Sequence, residues 1–422
     1  MRSTEIIVVG AGAAGIWAAE RAAREGAEVT LVEKTPRVGT KILASGGQKC
    51  NLTTTRDARA AGRLYGEEGE RFLRHALRTL TPRRLRRRFA EIGVPTREAP
   101  LEKVFPESER AVDVRDALER EAREAGVEIL LEAPVQSIGP KEGRWRVDLP
   151  DSPGLVAERL LVCPGGMSYP GTGTTGDGYR WMRELGFEIV DPVPHLVGLS
   201  SPEPFIEELA GVDIQHVEAR MVDADGRILA RRRRPVVFTH DGISGPGAMD
   251  LAEHLTRPLA ERDEGDPVER YLQLDLYPDV GHDELRGLIV DAASRPGAVG
   301  VRSVLPDGPP TSVFRVACRM VGLAEKGLMV DRLPKKARNK LVDTLKAFPI
   351  RVTDSEGFDH AEVTAGGVAL DQIDAGTMEA SEHDGLYVFG EILDVTGPIG
   401  GLNFQAAWSE AELAGMAAAG SL

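Results

Sequence analysis

Cysteine is scarce in this chain: Cys50, Cys163 and Cys318 are the three among 422 residues. They are scattered, with no C-x-x-C pair, which excludes a disulfide framework and suits a reducing cytoplasm. No residue cluster calls for a metal. Long apolar runs are missing as well. None approaches the roughly 18 residues that a spanning helix needs, so no membrane partner is expected. There is no basic excess either: 52 Lys and Arg stand against 66 Asp and Glu, a formal net charge of −14. Such a balance disfavours non-specific attraction to nucleic acid or anionic lipid. The apolar N-terminus lacks a basic n-region of any length, so it reads as a strand and not as a secretory signal. What the chain has in quantity is glycine, 47 residues, together with 27 prolines. Its length suffices for two or three domains, each with its own core.

The most informative glycines come first. Ile6-Ile7-Val8-Val9 is a β-branched apolar run that predicts a buried strand, and Gly10-Ala11-Gly12-Ala13-Ala14-Gly15 then opens a helix reaching about Glu25. In this pattern Gly10 permits the tight turn, Gly12 lets backbone approach a pyrophosphate, and Gly15 allows close helix–strand packing. The unpaired N–H groups of the first helical turn, Ala13 and Ala14 included, face the phosphates. A second strand, Val29–Val32, ends on Glu33, where a carboxylate accepts from both hydroxyls of an adenosine ribose. These residues point to a bound dinucleotide.

A polar, glycine-bearing loop follows from Lys34 to Thr54. Lys41 and Lys49 are candidates to offset phosphate charge, and Ser45, Asn51 and Thr53 to donate to phosphate or a heterocycle edge. Helices are predicted over Glu70–Thr79, from Pro82 onward behind a Thr81 cap, and over Asp113–Ala125. The strand Val127–Leu131 and an antiparallel pair, Ala133–Ile138 with Arg144–Leu149, come next. The apolar strand ending at Val162 runs into Gly165-Gly166 and a glycine-rich loop, with Thr175 or Asp177 expected to cap the helix Tyr179–Leu185. From about Asp191 the texture changes to a β-rich piece, with Asp225-Gly226 marking a hairpin and Ser244 expected to cap a helix. Residues from about 282 to 347 read as helices. Strands entering glycine turns then return at Glu362–Val368 and Gly385–Glu391. Gly400-Gly401 precedes a final Ala-rich helix, whose free N–H groups suit a ring that gains electron density on reduction. No second Gly-x-Gly-x-x-Gly follows a strand, so a dedicated NAD(P)H domain is not visible.

At this point the chain resembles the BaiN/YhiN-like FAD-binding oxidoreductases, a family that includes aminoacetone-oxidase-like proteins. The matching blocks are Gly10–Gly15, Gly39–Thr53, Gly165–Gly178, Thr239–Gly247, Thr364–Val368, Thr377–Glu379 and Gly390–Gln405. Two departures stand out: Gln48-Lys49 occupies the place of the family's Gly-Arg, and Thr396-Gly397-Pro398-Ile399 that of a shorter Asp-Gly turn. The resemblance implies an α/β architecture. Its Rossmann-like FAD domain uses both chain ends (1–190 and 355–422) and carries a β-barrel-like insert (191–280) and a helical insert (281–354). Carried over, Glu33 would hold the adenosine ribose and Val135 would meet adenine through its backbone. Lys41, Ser45 and Asn51 would line the cofactor, with Lys34 and Gly46 beside them. Glu391 and Asp394 would sit near ribitol and pyrophosphate behind Gly390, and Asn403 near the isoalloxazine behind Gly401.

The expected function is hydride transfer between flavin N5 and an unsaturated or amine-bearing small molecule, with NAD(P)H a candidate transient reductant. Cys50 and His240 are the candidate proton donors, with Tyr169 behind them. Two other readings stand beside it. One is a flavin-dependent RNA uridine reductase, motivated by the arginines of Arg83–Arg88 and Arg231–Arg234. The other is a flavin-binding scaffold without turnover.

Overall fold

The computed structural model describes residues 2–150, 152–263, 268–294, 299–324 and 326–420. The chain divides into two units, Met1–Pro194 with Phe358–Leu422, and His195–Gly357. In chain order the first unit begins with β1 (Arg2–Val9), α1 (Ala13–Arg24), β2 (Val29–Val32), α2 (Thr40–Gln48), α3 (Gly66–Thr79) and α4 (Pro82–Glu91). It continues with α5 (Ala111–Glu124), β3 (Glu128–Leu130), β4 (Ser137–Lys141), β5 (Arg144–Asp148), β6 (Leu155–Val162) and α6 (Asp177–Glu184). After the other unit come β7 (Val363–Val368), β8 (Leu386–Val388) and α7 (Leu402–Ala418).

Ile6, Ile7 and Val8 alternate between the two faces of the sheet and are all wholly buried, so both faces are covered, as in other parallel sheets. Each such side chain contributes about 2 kcal/mol by leaving water. Val9 stands opposite Val32 on β2 and opposite Val162 on β6, so three strands end at one level. The sheet order is β3-β2-β1-β6-β5-β4. The outer edge of β6 is shared. Its first half pairs antiparallel with β5, and Leu160–Val162 pair in parallel with β8. The last residues of β8 are thereby carried to the level at which β1 ends.

The chain termini meet through helices. On α7, a Cβ at Gly415 would stand 2.8 Å from the carbonyl of Ala18 on α1, so the absence of a side chain permits that approach. Trp17 Nε1 donates to Glu412 at 2.7 Å. Phe89 of α4 lies edge-on to Trp408 at 5.0 Å, and Phe404 stacks on Trp408 at 5.0 Å. Glu20, nearly buried on α1, is held by Arg24 and by Arg88 of α4. Thr81 caps α4 through Arg84 N–H, with Pro82 at its first position.

Other local expectations are corrected. Helix α6 starts behind a left-handed Gly176 with no side-chain cap, since Thr175 and Asp177 are both bonded by Lys34. Ser244 ends a strand, Gly242–Ser244, and the short helix behind it starts at Pro246. The first strand of the antiparallel pair begins at Ser137, which leaves Val135 in a loop.

The second unit holds a four-stranded antiparallel sheet, with Glu218–Asp223 between Ile228–Arg232 and Arg270–Asp275, and Phe348–Val352 at its far edge. A five-stranded sheet and the helices His282–Ala293, Thr311–Met320 and Lys335–Lys346 complete it. Lys346 is buried, bonding Tyr277 O, Val280 O and Asp275, and Asp275 in turn takes Arg220. Every donor of that ammonium is satisfied, which is what keeps a buried charge tolerable.

His195 is an uncompensated titratable member of this unit. It is 6% exposed, and its Nδ1 has no partner among the described residues. Burial pushes its imidazole down to about 4, against Glu253 and with His254, Arg232 and Arg257. A depressed histidine contributes stability above its unfolded value of about 6.5, and that stability is lost as pH falls toward 4. Urea midpoints should show His195→Gln losing about 3 kcal/mol less than the parent on acidification from neutral pH to about 4. Equal losses would contradict this assignment.

Candidate cofactor site

The site is assembled where β1, β2, β6 and β8 end. Gly10 has φ +101, and a Cβ there would stand 2.6 Å from the carbonyl of Cys163. On Gly15 a Cβ would stand 1.7 Å from the carbonyl of Gly10. Gly12 differs: a Cβ built on it meets nothing within 4 Å, so the open space lies on its side of the turn. The first helical bond of α1 runs from Ile16 N–H to Gly12 O, which leaves the N–H groups of Ala13, Ala14 and Gly15 without helical acceptors. An anion entering that space meets three donors and the positive end of a helix dipole.

Glu33 ends β2 with its carboxylate fixed by two backbone donors, Ala11 N–H and Thr35 N–H, each at 2.8 Å. The loop after β3 runs beside it, with Ala133 N–H on Glu33 O and Glu132 N–H on Thr35 O. Val135 lies in that loop. Lys34 points the other way, to Thr175 (2.6 Å) and Asp177 (2.7 Å) on the loop into α6.

The predicted loop after β2 contains a helix, α2, broken at Ser45–Gly47, where Ser45 is extended and Gly46 and Gly47 are left-handed. Gly39 anchors its start by donating to Ala11 O at 2.8 Å. Lys41 then reaches Glu391, at 2.7 and 2.8 Å to the two carboxylate oxygens, and Ser168 Oγ at 2.8 Å. Ser168 Oγ donates to Glu391 at 2.7 Å, and Thr364 N–H on β7 donates to the same carboxylate at 3.1 Å. Four segments distant in sequence are tied by one ammonium–carboxylate pair. Gly166 lies against it, for a Cβ there would stand 2.4 Å from Thr364 Oγ1; Gly165 is left-handed and faces Thr174.

Several candidates have local duties. Ser45 Oγ donates to Ile42 O, and Asn51 Oδ1 accepts from Val104 N–H. Lys49 is paired with Glu109, so its charge is already answered. Asp394 Oδ1 accepts from Gly366 N–H. The Asn403 amide is taken on both sides by Gly397, while left-handed Gly401 caps α7 with its Cβ position against Thr53 O. Helix α7 opens with the N–H groups of Leu402, Asn403 and Phe404 ahead of its first bond, Gln405 N–H to Gly401 O. Cys50 is wholly buried, with its thiol pushed up to about 12 by that burial, partly offset by a hydrogen bond with Ser45. It therefore keeps its proton at neutral pH. His240 is exposed and belongs to the second unit, in the turn between Val236–Phe238 and Gly242–Ser244. Tyr169 is 44% exposed with φ +57. Sequence reasoning passed over Ser168 and Thr364; their one signal was membership of two glycine-bearing blocks.

A parallel sheet with a glycine turn at its centre strand and a carboxylate ending the next defines a dinucleotide-binding enzyme of the Rossmann class. The chain belongs to the HI0933-like family, whose Rossmann-domain profile matches residues 4–417. This is the group of FAD-binding oxidoreductases that the sequence blocks resemble; the cofactor is FAD, and the chain is an FAD-dependent oxidoreductase. It is 30% identical over 419 residues to the 3-dehydro-bile acid delta(4,6)-reductase of Clostridium scindens, with 98% of each chain covered. It is 29% identical over 415 residues to the ribosomal RNA dihydrouridine synthase of Escherichia coli, with 97% of each covered. The 3-ketosteroid delta1-dehydrogenase of Sterolibacterium denitrificans shares the fold at 14% identity, with a TM-score of 0.53 and 100% of each chain covered. Among the described residues no helix is long and apolar enough to cross a membrane.

Two glycines separate folding from loading. Gly12→Ala fits the space and the backbone, so melting should stay within about 0.5 kcal/mol of the parent, while fluorescence titration should show FAD bound at least about tenfold more weakly. Gly15→Ala forces α1 off β1 and should cost about 3 kcal/mol or more. A Gly12→Ala protein that binds FAD as the parent does would refute the placement.

Proposed function

We propose that the first unit holds FAD along these strand ends and that the enzyme reduces a carbon–carbon double bond conjugated to a carbonyl. The pyrophosphate would lie at Ala13–Gly15 beside Gly12, the adenosine ribose on Glu33, and adenine by Val135. The ribityl chain would run toward Glu391 and Asp394, and the isoalloxazine toward the first turn of α7. The open face of Gly12 and the orphan N–H groups are what a pyrophosphate fits. When bound, FAD supplies a hydride at N5.

This chain's own residues bind, orient and keep protons in place. Lys41 spends all three ammonium hydrogens on Glu391 and Ser168, which makes it a holder of the turn and not a donor. The N–H groups of Leu402, Asn403 and Phe404 favour the ring edge that gains electron density. Cys50, sealed in the core, packs the α2 segment.

The observation that carries the substrate class is a shared one. The two relatives described above bear names for saturating a ring double bond, one in a bile acid and one in uridine. Each such bond is polarised by a carbonyl: it takes hydride at the far carbon, and the enolate so formed takes a proton from water at the carbon next to the carbonyl.

A small molecule is favoured over RNA by the fate of the arginines. Arg86 pairs with Glu98, Arg87 with Glu91, Arg88 with Glu20 and Glu121, Arg232 with Asp250 and Arg233 with Asp279. Five of the nine arginines in these runs are thus paired with carboxylates in place, which lowers the counterion release available to drive RNA binding.

The test mixes the photoreduced enzyme anaerobically with 4-androstene-3,17-dione or with uridine-bearing ribosomal RNA, and NADPH or NADH is then tried as reductant. Flavin reoxidation with loss of the enone chromophore is expected. Turnover of RNA alone would favour the nucleic-acid reading, and reoxidation by neither would defeat both.

A further inference from the structure

A carboxylic acid lies buried behind the turn that follows β8. Glu410, on α7, is 1% exposed; its Oε2 accepts Gly390 N–H at 2.6 Å, and its Oε1 is buried with no partner among the described residues. Gly390 is left-handed, φ +82, and a Cβ there would stand 3.2 Å from the Cβ of Ala14. The turn thus rests on the first turn of α1. The next residue, Glu391, is the one that Lys41, Ser168 and Thr364 hold. One peptide N–H therefore links the Glu410 carboxyl to the anion-binding end of α1 and to that ion pair.

We propose that Glu410 is a positioning residue that sets the Gly390–Glu391 turn against α1 and makes retention of FAD depend on pH. An ionised carboxylate in this place would have one N–H donor and no cation, a costly state in a dry interior. Burial pushes the acid up to about 7, with the Gly390 N–H pulling the other way.

The surrounding groups offer little relief. Tyr65, ahead of α3, donates its phenol to Leu402 O at 2.7 Å and is held well above its ordinary value by burial and then by Glu410. Glu391 on the turn is paired with Lys41, and α1 presents the uncharged Ala14. A pyrophosphate brought to α1 carries negative charge and opposes ionisation of Glu410. By reciprocity, FAD binding takes up a proton, and raising the pH through Glu410's range loosens FAD. This rests on FAD binding and is independent of the substrate.

The experiment titrates the apoprotein with FAD by fluorescence quenching in the parent and in Glu410→Gln. From about pH 6 to about pH 9 the parent's Kd should rise about tenfold or more, within the usual range of coupling, while the glutamine variant stays flat to about twofold. A flat parent, or a variant with the parent's slope, overturns the proposal. A second measurement needs no variant. The infrared difference spectrum of the parent at about pH 8 should gain a protonated-carboxyl band when FAD binds, and its absence overturns the proposal equally.

Discussion

The first unit depends on one approach of backbone to backbone: the start of α1 against the last peptide of β1. A side chain at Gly15 would overlap the Gly10 carbonyl, and one at Gly10 would overlap Cys163, the residue that follows β6. Because neither exists, helix, centre strand and neighbouring strand close to within contact. The N–H groups of Ala13–Gly15 are then left facing the space beside Gly12. Binding capacity is a consequence of that packing: the donors are orphaned by helix geometry, and the same geometry aims them.

The second constraint is electrostatic and joins the two chain ends. Lys41 and Ser168 come from the first half of the chain and Thr364 from the last quarter, and all three donate to the carboxylate of Glu391. A half-buried ion pair of this kind is a modest source of stability but a strong specifier of geometry, since removing one partner strands the other. The apolar share is carried by Trp408 of α7, which packs against Phe89 of α4 and Trp17 of α1.

Much of this was legible from sequence where the signal is local. Strand β1, its glycine turn and α1 follow from β-branched residues and glycine spacing, and Thr81-Pro82 announced α4 through cap chemistry. The Asp225-Gly226 turn announced its hairpin, Glu218–Asp223 with Ile228–Arg232. Local reasoning failed where a distant partner competes for the same side chain. Thr175 and Asp177 are good caps by composition, yet Lys34, more than 140 positions away, takes both. Ser168 and Thr364 carry no periodicity and matter only because the fold joins them to Glu391. Glu410 sits in an alanine-rich helix, and its burial comes from packing that no short window contains. The placement of FAD on particular residues rests on geometry and on family likeness together.

The two chain ends are proposed to form one binding surface on which the first turn of α1 receives the pyrophosphate. A crystal structure of the purified yellow protein tests it most directly. Phosphate oxygens are expected within hydrogen-bond distance of the Ala13–Gly15 N–H groups, a ribose on Glu33, and the flavin ring at the start of α7. Flavin density lodged elsewhere, with the space beside Gly12 filled by protein or solvent, would contradict it.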